Sequence, residues 1–326
     1  MSQSSTQQYS PFNLLVHCVW ALILTVCFIN PAQTQEKKRQ EVIEGFTFEN
    51  LTPAFKAQQG PKLVIHRAVS PYLQRGRFEP FRILAESDGF KVSYLDKPMT
   101  PEILAGTDLF VIANAYTKNY KNFSTLDAPS VYTGDEIAML VEWVKNGGSM
   151  LILADHSPFA GGTIQLASAF GFTYMTGHVL DKNSLSTRIR TAIDFKKENN
   201  LLAEHPITMG STGRMPITHF FGFGGQAIIP PAEATNILAI PSYFETFFGF
   251  DPHQNFHSTP RLDSGGFSQG SAVEFGNGRL VVMGETGGFT AQIIDGINGM
   301  GFEELVADEN KEFVLATLRW LVNFTP

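Results

Sequence analysis

The run Met150 to Ala154 (MLILA) constrains this chain more than any other stretch. Five consecutive apolar residues are too few for a helix and suit a strand covered on both faces. What flanks the run agrees. Thr133 and Glu136 have the spacing of a capping box, in which each side chain satisfies an amide of a helix's first turn. Ile137, Leu140, Val141 and Val144 then fall on one helical face. Gly147 and Gly148 supply the left-handed stop. After the strand, Asp155, His156 and Ser157 stand where ligands bind in open α/β sheets, at the carboxyl end of a strand.

The same alternation extends on either side. Lys62–His66 (KLVIH) predicts a buried first strand, and Pro80 suits the first turn of the helix that follows. Residues 90–95 (FKVSYL) alternate, which places the second strand near an edge. Thr100-Pro101-Glu102 caps a short helix. Leu109–Ala113 (LFVIA) is another buried strand and delivers Asn114 to its carboxyl end. Residues 163–170 predict one more helix. Strands alternating with helices over short links predict βαβ units. The expected fold is α/β: a doubly wound, flavodoxin-like, mostly parallel sheet with helices on both faces.

From about 179 to 260 the alternation gives way to clustered Gly, Pro and Phe. This predicts a β- and loop-rich insertion at the sheet's carboxyl end. Order returns at Ser271–Phe275 and Arg279–Met283, two arms around Gly276-Asn277-Gly278 that read as a hairpin. The second arm is apolar enough to enter the sheet, and it delivers Glu285 and Thr286 to a Gly287-Gly288 loop. A last helix spans about 309–322. Residues 61–326 thus read as one α/β domain.

Ahead of it, residues 33–60 read as a polar linker or loosely docked arm. Residues 1–32 contain no Lys, Arg, Asp or Glu, and 12–29 are strongly apolar. They predict a cleaved signal peptide and an exported (periplasmic or extracellular) protein, or alternatively a membrane anchor over 12–29. Any membrane contact is expected only through an uncleaved N-terminal segment. Both cysteines, Cys18 and Cys27, lie in this run, so the chain after it has no thiol for a nucleophile, metal or disulfide. The net charge of -7 argues against a nucleic-acid partner, whose phosphates call for Lys and Arg.

Asp155, His156 and Glu285 are the candidate catalytic residues, since two carboxylates and an imidazole in one crevice suit general acid–base work. Arg67, Asn114, Ser157, Thr286 and Gln292 are candidate substrate contacts, and Arg67 or Arg75 has the fork that grips an anion. As an alternative, Asp155, His156 and Glu285 with His205 suit a divalent metal by residue type. No HExxH, CxxC pair, P-loop or GxSxG elbow is present, and the sequence assigns no cofactor. The aromatic cluster Phe220, Phe221, Phe223, Phe244, Phe247 and Phe248 reads as core or as a sugar-stacking platform.

The segments KLVIH, DLFVIANA, LVEWVKNGGSMLILADHSPFAGG and GNGRLVVMGETGGFTAQ resemble the class I glutamine amidotransferase-like superfamily, and most of all a secreted bacterial branch of undefined activity. The resemblance covers about 61–175 and 270–324. It implies a flavodoxin-like sheet with a site at its carboxyl end. True amidotransferases carry a Cys on a tight turn after a central strand. Here LFVIA runs into Asn114-Ala115-Tyr116, so a Cys-dependent reaction is not expected. The branch's His-rich loop after the first strand is replaced by HRAVSPYLQRGRF. Two readings remain at this point. One is a hydrolase-like enzyme acting through Asp155, His156 and Glu285. The other is a non-catalytic module whose degenerate crevice binds a small molecule, a glycan or an assembly partner.

Overall fold

The computed structural model describes residues 40–117, 128–183, 191–248, 259–294, 296 and 298–326. The expected signal or anchor segment lies outside these residues. So do residues 33–39 and part of the Tyr116–Tyr132 loop. Among the described residues no helix is long and apolar enough to cross a membrane.

The chain begins with β1 (Gln40–Val42) and then alternates: β2 (Lys62–His66), α1 (Glu79–Ser87), β3 (Lys91–Leu95), α2 (Pro101–Ala105), β4 (Leu109–Ala113), α3 (Gly134–Lys145), β5 (Ser149–Leu153) and α4 (Ile164–Ala169). Short strands follow: β6 (Thr173–Tyr174), β7 (His178–Asp181), β8 (Ile193–Lys196), β9 (His219–Gly222), β10 (Ile228–Ile229), β11 (Thr235–Ala239), β12 (Phe244–Phe247) and β13 (Arg261–Asp263). The hairpin β14 (Ser268–Phe275) and β15 (Gly278–Met283) leads to β16 (Ala291–Ile294), β17 (Asn298–Gly301) and α5 (Asn310–Leu321).

A nine-stranded sheet in the order β3-β2-β4-β5-β15-β14-β10-β6, with β11 also on β14, forms the centre. Neighbours from β3 through β15 run parallel. From β14 onward every pairing is antiparallel. The sheet is therefore mixed, parallel as expected over its first five strands and antiparallel beyond them. The reason is the hairpin: β15 returns beside β5, and its partner β14 must then run the opposite way and offer an antiparallel edge to β10 and β11. Gly276 turns that hairpin at φ 61°, a conformation that costs a residue without Cβ nothing.

Strict alternation assigns the faces of the parallel segment. Leu109, Val111, Leu151 and Met283 pack with Phe81 and Leu84 of α1 and with Phe313 and Leu318 of α5. Phe110, Ile112, Met150, Ile152 and Val282 pack on the other side with Leu140 and Val144 of α3 and Leu166 of α4. Both β4 and β5 are buried along their whole length, as an apolar run between two helical layers requires. The capping box at α3 is formed: Glu136 N donates to Thr133 Oγ1 at 3.2 Å, and Thr133 N donates to Glu136 Oε2 at 2.8 Å.

Residues 40–60 are fastened to this body. β1 pairs with β16. Asn50 Nδ2 donates to Asp88 Oδ1 at 2.8 Å, Arg319 Nη2 donates to Thr52 O at 2.6 Å, and Phe55 packs edge-on against Phe90 and Phe324. Within 178–263 the small sheets β13-β12-β7 and β8-β9 form, while β10 and β11 extend the central sheet.

Candidate functional site

The carboxyl ends of β4, β5 and β15 are neighbours in the sheet, and one side chain links all three. Asn114 follows β4 in a left-handed conformation, φ 46°, which Asn tolerates better than other residues bearing a Cβ. Its Oδ1 accepts from the amide of Asp155 after β5 and from the hydroxyl of Thr286 after β15, both at 3.0 Å. Its Nδ2 is buried with no hydrogen-bond partner.

Asp155 sits beside it with its side chain 14% exposed. Oδ1 accepts from His156 N at 2.7 Å, and the amide of Thr286 donates to the same carboxylate. Burial raises its pKa, against the pull of His156 and of those two amides. Glu285 is buried. Its Oε1 accepts from Gly287 N at 2.5 Å and its Oε2 from Gly288 N at 2.8 Å, with the amide of Phe223 as a third donor. Burial, and then the charge of Asp155, push Glu285 up to about 8 despite those three amides. Both glycines are required for the approach. A Cβ on Gly287 would come 2.7 Å from Glu285 Oε1, and one on Gly288 would meet the Phe220 ring at 2.6 Å.

His156 Nδ1 donates to Ser157 O at 2.7 Å, which leaves Nε2 facing Asp155 Oδ1 at 3.9 Å. The ring stacks on His178 at 4.1 Å and meets the edge of Phe159. Tyr72 and Tyr116 also turn edges to Phe159. The Tyr72 hydroxyl is raised by burial and by the charges of Asp155 and Glu285, so it lies in the field of both acids. It accepts from Gln292 Nε2 at 3.1 Å, and Gln292 Oε1 is buried without a partner. Polar side chains that follow β4, β5 and β15 thus gather with Gln292 of β16 beside a group of aromatic rings.

Of the residues read from the sequence, Asn114, Asp155, His156, Ser157, Glu285 and Thr286 come together here, and Gln292 joins through Tyr72. Arg67 does not: its guanidinium makes a two-pronged pair with Asp96 at 2.7 and 2.5 Å and lies over the Tyr94 ring. Arg75 is exposed at the end of a 3-10 turn. His205 is at the opposite end of the sheet, edge-on to Trp320 and near Arg279, the second residue of β15, so it cannot complete a metal set with Asp155 and Glu285. Among the described residues no group of three or more His, Cys, Asp and Glu side chains is placed to hold a metal ion. Phe220, Phe244 and Phe247 are core. Tyr72, Phe159 and His178 were not singled out by sequence reasoning. None of them has a motif, and their partners are distant in the chain.

No family model and no curated protein sequence matches the chain. Solved structures do. The mmIFT52 N-terminal domain superposes with a TM-score of 0.53 at 15% identity, over 80% of this chain and 96% of that one. A ThuA-like protein from Bacteroides uniformis gives 0.44 at 13% identity, over 84% and 94%. Another from Parabacteroides merdae gives 0.42 at 12% identity, over 82% and 92%. At these identities the likeness is one of fold.

Proposed function

We propose that the protein is a non-catalytic binding module that holds a small polar ligand in the crevice at the carboxyl end of its sheet. One observation carries this reading. Both carboxylates there are braced by backbone amides, Asp155 Oδ1 by His156 N and Glu285 by Gly287 N and Gly288 N. By contrast, Asn114 Nδ2 and Gln292 Oε1 are buried and unsatisfied, a state that a ligand's polar atoms relieve. The finer fold assignment belongs to the same reading. The quoted segments and the parallel five-strand core support a flavodoxin-like, doubly wound member of the amidotransferase-like superfamily, lacking its nucleophilic Cys. Export rests on the apolar character of 12–29. A thermal-shift screen of the full chain against small molecules and glycans tests the binding reading. A ligand must raise the melting temperature by mass action, and Asn114→Ala must lose that response. A screen without a single stabilising compound counts against it.

A second reading, a hydrolase-like enzyme, is favoured by one feature: Glu285 is pushed up to about 8, near neutrality and beside a second carboxylate. Turnover of any ester, amide or glycoside by the wild type, lost in Asp155→Asn, would establish it in place of the first.

A further inference from the structure

Resting on the binding reading above, we infer that the crevice is selective for a small amino alcohol, a ligand that carries an ammonium group next to a neutral oxygen. The first ground is charge. Ionised groups taken out of water are normally paired. Among the described residues, neither Asp155 nor Glu285 has a Lys or Arg partner; His156 Nε2 stands 3.9 Å from Asp155, beyond hydrogen-bonding distance. Arg67, which is near in sequence to the first strand's end, is held by Asp96. With Glu285 pushed up to about 8, the two acids share one negative charge near neutrality, and the backbone amides do not cancel it. A cation entering the crevice gains from that charge, a neutral molecule gains nothing from it, and an anion is repelled.

The second ground is the pattern of open hydrogen-bonding positions. Gln292 is fully buried, and its Nε2 donates to Tyr72 Oη at 3.1 Å and to Thr290 Oγ1 at 2.7 Å. Its Oε1 has no donor, and an ammonium N–H supplies one. Asn114 is likewise fully buried, and its Nδ2 has no acceptor, which a hydroxyl or carbonyl oxygen supplies. The third ground is the aromatic group. Phe159 is partly exposed, with Tyr72 at 6.0 Å, Tyr116 at 5.7 Å and His156 at 5.5 Å between ring centroids. Aromatic faces attract organic cations, more strongly where water is excluded. A bare metal ion is a poorer fit, since among the described residues no group of three or more His, Cys, Asp and Glu side chains is placed to hold one.

Calorimetric titration of the full chain with ethanolamine, ethylene glycol and glycolate varies charge on one two-carbon skeleton. Ethanolamine is expected to bind at least about tenfold more tightly than the other two, the difference made by one favourable charge contact. Equal or tighter binding of ethylene glycol or glycolate overturns the inference. Gln292→Met removes the open acceptor at constant volume, and Phe159→Leu removes the partly exposed ring. Each is expected to weaken ethanolamine about tenfold. Two folded variants with unchanged affinity also overturn it, and Phe159→Leu serves alone if Gln292→Met does not fold. If ethanolamine fails while other compounds stabilise the protein in the broader screen, the amine inference falls and the binding reading stands. If neither yields a signal, both fall.

Discussion

The side-chain oxygen of Asn114 lies 3.0 Å from the hydroxyl of Thr286, a residue 172 positions away, and equally close to the amide of Asp155. Three strand ends are therefore tied by one acceptor. Asn114→Ala removes that acceptor and also puts a β-carbon residue at φ 46° without the side chain that tolerates it. The expected loss is about 2–4 kcal/mol of unfolding free energy. Asn114→Gly loses the same two hydrogen bonds but has no conformational penalty, so it is expected to be about 1 kcal/mol more stable than Asn114→Ala. Urea unfolding of the two variants checks the order. If Ala is the more stable, the backbone at 114 is not under the constraint described.

Arg319 and Asp88 form the deepest ion pair of the described residues. Arg319 Nε and Nη2 meet the two Asp88 oxygens at 2.7 and 2.5 Å, and both side chains are almost completely buried. Arg319 also donates to Thr52 O and Thr212 O, while Asp88 accepts from Asn50 Nδ2 and Ala54 N. The pair thus joins α1, α5, the 40–60 arm and the 210s loop. Arg319→Met leaves a buried carboxylate without its counter-charge and is expected to cost about 3–5 kcal/mol. Adding Asp88→Leu removes the orphaned charge, and the double variant is expected to be more stable than Arg319→Met alone. A double-mutant cycle in urea measures the coupling, and strict additivity would contradict it.

His66 makes the fold sensitive to acid. Its ring is buried, with Nδ1 2.8 Å from Tyr132 Oη and Nε2 3.2 Å from Lys97 O. A neutral imidazole satisfies both partners, accepting at one nitrogen and donating at the other. Burial lowers its pKa from 6.5 to about 4, although the Lys97 carbonyl and the charges of Glu136 and Asp96 oppose this. In the unfolded chain the ring takes its proton near 6.5, and in the folded chain only near 4. Below 6.5 the unfolded state therefore binds more protons at this ring, and the contribution of His66 to stability falls as pH drops toward 4, against the opposite contribution of Glu285 above 4.5. His205, also lowered to about 4 chiefly by burial, acts in the same direction. His66→Gln is expected to unfold with a visibly shallower loss between pH 6.5 and 4 than the wild type. An identical slope would mean that His66 is not the titrating group.

Much of the scaffold was legible because its cues are local. β4 and β5 announce themselves as unbroken apolar runs, Thr133 and Glu136 form their capping box within one turn, and Gly276 sets the β14–β15 hairpin by its own conformation. The antiparallel half of the central sheet was not legible. Its link to β10 is a single register pair, Ile228 with Ser268, and two-residue strands have no readable period. The ties of Asn50 and Thr52 to Asp88, Arg214 and Arg319 were hidden for a related reason: polar residues look like solvated linker until their distant partners are known. At the site, the gathering of Asn114, Asp155 and Glu285 followed from strand ends, but the direction of each carboxylate did not. The one available signal was Glu285 standing two residues before Gly287-Gly288, a spacing at which a carboxylate can receive the amides of its own following turn.

That direction makes a prediction that separates bracing from catalysis at Glu285. Glu285→Gln keeps the volume but turns an NH₂ toward a backbone N–H, at either Gly287 or Gly288, and so leaves a buried donor unsatisfied. The expected cost is about 1–3 kcal/mol near pH 6. A residue held for catalysis behaves in the opposite way, since replacing it commonly leaves stability unchanged or raised. The pH profile gives an independent readout. Because the folded-state pKa of Glu285 is raised from 4.5 to about 8, the folded chain holds a proton that the unfolded chain has released, and stability falls as pH rises through that window. Above 6.5 the histidine effect is over, so the wild type is expected to lose stability between pH 6.5 and 8 while Glu285→Gln does not. A variant with a raised melting temperature would move Glu285 from brace to catalytic group and favour the hydrolase reading, while an unchanged pH profile would mean that Glu285 is not the group titrating between pH 6.5 and 8.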